Sequence, residues 1–106
     1  MSRHEVEKIG QKVDEGKPML DLVTPESIIG MAEVLTMANK KYTPNSWQNV
    51  ESGENLHYAA ALRHLLAWKA GEFNDKESNL SHIKHVMTNC MFLLYHEKRL
   101  RENKKG

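Results

Sequence analysis

The stretch HYAAALRHLLAWKAGEFNDKESNLSHIKHVMTNCMFLL, residues 57–94, decides the fold. It opens with strong helix formers: Ala59, Ala60, Ala61, Leu62, Leu65, Leu66 and Ala67. Apolar positions nearly surround this segment. That predicts a helix over roughly residues 54–70, the central and most buried one of the chain. Gly71 is its stop, and EFNDKESN, residues 72–79, is a polar connection. Beyond it, Ile83, Val86, Met87, Cys90 and Leu94 form an apolar stripe at helical spacing. The stripe predicts another helix over residues 80–100, capped by Asn79 or Ser81.

Upstream, TPESIIGMAEVLTMANKKY, residues 24–42, carries the signals of a helix start. Thr24 suits the N-cap, Pro25 the first helical position, and Glu26 the positive dipole end. Ile28, Met31, Ala32, Leu35 and Ala38 repeat at helical spacing, and Gly30 permits close approach by another helix. Pro44 disfavours helical geometry at Thr43 and ends the run. Before it, EGKPMLDLV, residues 15–23, reads as an extended lead-in whose Met19, Leu20, Leu22 and Val23 pack on a neighbour. No strand, repeat or low-complexity segment stands out. The expected fold is all-α: a small bundle of three to four helices.

A chain of 106 residues makes one small domain with a modest core. Such a helical domain is expected to cover its apolar faces as a homodimer or homotetramer. The net charge of +1 argues against a nucleic-acid coat. The basic end, HEKRLRENKKG, reads as a helix terminus with cations near its negative pole. One cysteine, Cys90, excludes an internal disulfide framework and a cysteine-rich zinc site. No run is long enough to cross a membrane, and the start lacks a signal-peptide core, so a cytosolic location is expected.

The polar residues of the opening stretch sort into rows. At 100° per residue, His82, His85, Asn89 and His96 share a sector of about 60° bordering the apolar stripe. On the preceding helix His57, His64 and Trp68 share one side, with Arg63 next to His64. Arg63 and Trp68 facing a row of histidines could grip a ligand both anionic and aromatic. Lys40, Lys41 and Tyr42 close the first helix, and Trp47 follows in a turn. The lysines could meet phosphates, and Trp47 could stack on a base. Glu72, Asp75 and Glu77 lie between the two rows. Their carboxylates suit Mg2+ or Mn2+, but on spacing alone a solvated acidic loop is the favoured account of them.

Taken in order, the chain shows Lys17-Pro18, Leu20, Pro25-Glu26, Ala38, Lys41-Tyr42, Asn45 and Trp47. Tyr58, Ala61, Arg63-His64, Ala67-Trp68, Gly71-Glu72, Asp75, Glu77-Ser78, His82, His85 and Asn89 follow. This set, over residues 17–95, resembles the small phage-associated family named for the dATP/dGTP diphosphohydrolase N-terminal domain. That family is similar in turn to all-α nucleotide pyrophosphohydrolases of MazG type, which split a nucleoside triphosphate between its α and β phosphates using magnesium. The family usually has glycine where this chain has Thr43 and Asn79, and MazG-type acid positions fall at His82 and His85.

The resemblance implies metal-dependent hydrolysis of a purine (deoxy)nucleoside triphosphate, giving monophosphate and pyrophosphate, in the host-cell cytoplasm. It implies Mg2+ or Mn2+ on Glu72, Asp75 and Glu77, with His82 or His85, and catalytic work by Asp75, Glu77 and His64. Lys41, Tyr42, Trp47, Arg63, His64, Trp68 and Asn89 would bind the nucleotide. The alternative is a non-catalytic phage protein that sequesters a nucleotide or a nucleotide-derived immune signal. On this reading residues 17–97 are a helical nucleotide-binding domain. A polar segment, residues 1–16, and a basic end, residues 98–106, flank it.

Overall fold

The computed structural model describes residues 15–105; the polar segment read at the start lies outside them except for Glu15 and Gly16. Three helices carry the fold: α1, Pro25–Ala38, α2, Gly53–Lys69, and α3, His82–Lys105. Short 3-10 turns span Leu20–Leu22 and Ser46–Asn49. α2 and α3 pair along much of their lengths, and α1 lies against α3. Among the described residues there is no strand, only an isolated antiparallel bridge between Asn74 and Ser81. None of their helices is long and apolar enough to cross a membrane.

α1 begins with Pro25 at its first turn, after an extended Thr24. The Thr24 hydroxyl meets the Ser27 hydroxyl at 2.6 Å instead of capping an amide. Gly30 is the close approach expected of it: a Cβ there would sit 2.9 Å from Lys84 Cγ. Its absence lets the Lys84 stem cross α1 so that Nζ reaches Glu33 Oε1 at 2.9 Å. The helix stops at Ala38, short of the expected Tyr42, and the next residues form turns hydrogen-bonded to Met37 and Ala38 carbonyls.

α2 ends in a Schellman motif. Gly71 takes φ +103°, its amide donates to the Trp68 carbonyl, and the Glu72 amide donates to the Ala67 carbonyl, both at 3.0 Å. This reversal starts the polar loop. Across the loop, amides of Asp75 and His82 donate to carbonyls of Leu80 and Phe73, each at 2.8 Å. Ser81 caps α3, its hydroxyl accepting from the Ile83 amide at 3.1 Å.

Burial departs from the expected pattern. α2 is not the most buried helix: Leu56, Leu62, Leu65 and Leu66 are all exposed, Leu66 by 66%. On α3, Cys90 and Leu94 face outward while His82, His85, Thr88, Asn89 and His96 are buried. Because α2 is apolar almost all round, its hydropathy does not choose a face; side-chain size does. It turns Gly53, His57, Ala61 and His64 toward α3, and the small residues leave room for the rings of the facing helix. The result is a polar, ring-lined seam inside and a leucine face outside.

Candidate functional site

The lower half of the seam is built from α2, the loop and the start of α3. His64 projects from α2 and stacks on His85 of α3, with ring centroids 4.3 Å apart and planes 7° from parallel. Its Nδ1 lies 2.8 Å from Nδ1 of His82. The other nitrogen of His82, Nε2, donates to Glu72 Oε1 at 3.1 Å. A carboxylate only accepts, so neutral His82 carries its proton on Nε2 and turns a lone pair toward His64. Asp75 closes the group from the loop. One ligand atom from each of His64, Asp75 and His82 lies within 4.8 Å of the others.

Backbone turns fix that acid. The Ser78 amide donates to Asp75 Oδ2 at 3.0 Å, and the Asn79 amide to the Asp75 carbonyl at 2.7 Å. Asn79 sits at φ 60°, in the left-handed region. This is where the resembled family carries glycine, and asparagine is among the few other residues that visit that conformation readily. The substitution therefore keeps the turn. The Ser78 hydroxyl accepts from the Leu80 amide at 3.2 Å and meets His85 Nε2 at 2.7 Å. Ser78 thus ties the loop to α3.

Burial favours the uncharged form of His64 and His85, and the surroundings of Asp75 favour its charged form. Burial lowers the pKa of His64, reinforced by His85, His82 and Arg63 against the pull of Asp75. Burial likewise lowers His85, opposed by Asp75. Burial alone would raise Asp75, but hydrogen bonds from Ser78 and the nearby His85 and His64 outweigh it and hold the carboxyl below its ordinary value. Neutral imidazoles beside an ionised carboxylate are the protonation states in which these groups donate to a cation.

The residues read as a site from sequence do not all meet here. Glu72 reaches the outer nitrogen of His82, not the shared centre. His85 spends Nε2 on Ser78, with Asp75 Oδ2 farther off at 3.8 Å. Glu77 points out, its side chain 85% exposed, and pairs with Lys41 at 3.7 Å. Arg63, Tyr42 and Trp68 are exposed, Trp68 with its ring 6.4 Å from that of Phe73. Asn89 is buried and donates to the His85 carbonyl at 2.8 Å. Trp47 is folded into the other half of the seam, stacked on Phe92 at 4.3 Å and set edge-on to Tyr95, His57 and His96.

Ser78 stands in the resembled pattern but was given no site role in the sequence reading. Its signal was the Asp-x-x-Ser spacing, which lets a side-chain carboxylate take the amide three residues on. Beside it, between α1 and the loop, lies an open groove of about 420 Å³. Ile29, Ala32, Met37 and Leu80 give it apolar walls, and Lys40, Ser78, Thr36 and Glu33, the last paired with Lys84, give it polar points.

Comparison with known proteins finds similarity among phage sequences. A relative in Salmonella phage PMBT28, named dATP/dGTP diphosphohydrolase, is 31% identical over 86 residues. The alignment takes in 81% of this chain but 29% of the relative, so the chain spans under a third of that protein. No solved structure matches the chain. The family described as dATP/dGTP diphosphohydrolase, N-terminal, matches residues 7–105, nearly the whole length, and the chain belongs to that family.

Proposed function

We propose that this domain binds a purine deoxynucleoside triphosphate and hydrolyses it to monophosphate and pyrophosphate with a divalent cation. The observation that carries the reading is the convergence of His64, Asp75 and His82, with Ser78 linking Asp75 to an open groove. The name of the phage relative supplies the substrate class. The groove walls formed by Ile29, Ala32 and Met37 suit a base, and Lys40 at the same groove offsets phosphate charge. Lys41, released from Glu77, adds a second cation.

A divalent cation, Mg2+ or Mn2+ on the triphosphate, supplies charge neutralisation and lowers the pKa of a bound water. The chain's residues then have defined tasks. Asp75, held ionised by Ser78 and the adjacent imidazoles, takes a proton from the attacking water. His85, anchored by Ser78 with Nε2 3.8 Å from Asp75 Oδ2, would relay it. The exposed leucines of α2 are the face that a homodimer or homotetramer would cover.

The test is incubation of the pure chain with each deoxynucleoside triphosphate and Mg2+ or Mn2+, followed by chromatography. Equal amounts of monophosphate and pyrophosphate are expected from the purine substrates. Asp75→Asn should lower the rate by about 100-fold or more if Asp75 is the base.

A second reading is binding without hydrolysis. It is favoured by Glu77, which faces solvent and leaves few carboxylates at the centre, and by the unmatched 71% of the relative, which could hold the chemistry. Calorimetry separates the two. A nucleotide bound tightly with or without chelator, and recovered intact, selects sequestration.

A further inference from the structure

The geometry points to a resident metal of a different kind: His64 Nδ1, His82 Nδ1 and an Asp75 carboxylate oxygen form a three-donor site for a zinc-class, imidazole-preferring divalent ion. This deepens the hydrolase reading and rests on it, by naming the ion held on the protein, as distinct from magnesium carried by a triphosphate; with zinc on one Asp75 oxygen, the other is the one left to accept the proton from water.

Donor chemistry is the first argument. Two imidazoles and one carboxylate are borderline ligands that suit zinc and its first-row neighbours, whereas magnesium wants an oxygen shell and keeps its waters. The acidic loop does not offer that shell, since Glu77 turns out to Lys41 and Glu72 is engaged by His82. Geometry is the second. The two Nδ1 atoms stand 2.8 Å apart. Tetrahedral zinc with bonds of about 2.0–2.1 Å would separate them by about 3.3 Å, an adjustment of a few tenths of an ångström, and the Asp75 oxygen, within 4.8 Å of both, would draw in to a similar separation.

The third argument is the support around the donors. A ligating histidine commonly gives its outer N–H to a carboxylate, which fixes the tautomer and sharpens the lone pair. His82 has that arrangement, with Nε2 on Glu72 and Nδ1 facing His64. Asp75 is aimed by the Ser78 amide. A hydrogen bond between His64 and His82 would account for those two rings, but it leaves the third donor and the Glu72 orienting contact as coincidences. Three protein donors also leave a fourth position for water or a phosphate oxygen, the pattern of a catalytic site as opposed to a structural one.

The experiment is metal titration of the chelator-stripped full chain, with Zn2+, Mn2+ and Mg2+ in separate arms and a chelating dye as competitor. One zinc per chain is expected, bound at least about 100-fold more tightly than magnesium, with manganese between them. Glu72→Gln should weaken zinc about 10- to 100-fold. His82→Asn should weaken it further, and His57→Asn should leave it unchanged. Should the His82 variant fail to fold, ring-nitrogen NMR of the unaltered chain gives a second measurement. Zinc should move the Nδ1 resonances of His64 and His82 and leave those of His57 and His96 in place. Zinc no tighter than magnesium, unchanged affinity in folded His82→Asn, or shifts confined to other histidines would each overturn the assignment. Zinc held at the three donors without nucleotide turnover keeps this site and removes the hydrolase reading. Turnover with magnesium and no zinc at the three donors does the reverse.

Discussion

The α2–α3 seam holds two histidine clusters, and the contrast between them shows how surroundings assign a residue's task. In the lower cluster, His64, His82 and His85 are reached by the loop, which contributes Glu72, Asp75 and Ser78. In the upper one, His57 and His96 stack at 5.5 Å with planes 13° apart, walled by Trp47 and Phe92. His96 is 1% exposed, and neither of its nitrogens has a hydrogen-bond partner among the described residues; His57 Nε2 has none either. A Cβ on Gly53 would lie 2.9 Å from His96 Nε2, so the ring is pressed against the α2 backbone. The same side chain therefore serves as a polar group below and, at His96, as an aromatic filler above. The difference comes from the closing segment: an acidic loop at one end, a tryptophan turn at the other.

The largest test of this contrast is Trp47→Ala. If the upper cluster is an apolar core that happens to contain imidazoles, losing the ring stacked on Phe92 and set against Tyr95 removes its lid. A cost of about 3 kcal/mol is expected in urea unfolding, as for other large-to-small core changes. A loss below about 1 kcal/mol would mean that the tryptophan rests on this end without holding it.

A paired substitution sharpens the comparison. His82→Leu deprives half-buried His64 and Glu72 of their partner and should cost about 2 kcal/mol. His96→Leu removes no hydrogen bond within the described fold and exchanges a buried polar ring for an apolar group of similar volume. Its effect should stay within about 1 kcal/mol of the parent, with either sign. Equal losses at both positions would erase the distinction between the clusters.

Much of this was legible in the sequence, and what was not has a physical cause. The helices announce themselves through Pro25, the Ala59–Ala61 run and Gly71, and the row of His82, His85, Asn89 and His96 follows from helical spacing alone. The face that α2 buries was not legible, because its apolar residues surround it and choose no side. The loop was partly legible. Its acids could be seen, but not that Asp75 turns in through the Ser78 amide while Glu77 turns out to Lys41. Those directions depend on a turn with Asn79 at φ 60° and on hydrogen bonds across the loop, neither of which has a periodic signature. Trp47 misled for a related reason: a tryptophan in a turn looks like a stacking platform until Phe92, many residues away, takes up its ring face.

The smallest expected effect is in pH dependence, and it asks whether both clusters need neutral imidazoles. Burial, then the neighbouring His96, holds His57 below its ordinary value of 6.5, against hydrogen bonds to Asn89 and the Trp47 backbone. His64 and His85 are lowered too, again chiefly by burial. A lowered histidine binds its proton less readily in the folded chain than in the unfolded one. Stability is therefore whole above the unfolded pKa and is lost as pH falls through 6.5 toward the folded values. Asp75, lowered from 3.8, adds its own loss only in more acidic solution, below that value. Unfolding free energy followed from about pH 7.5 to pH 5 should decline once the histidine range is entered. His57→Leu should make the decline shallower without flattening it, since His64 and His85 still titrate in the lower cluster. A parent chain with constant stability across that range would show that protonation costs these rings nothing. The upper cluster could then not be an apolar core, and the contrast with the lower one would fail at its base.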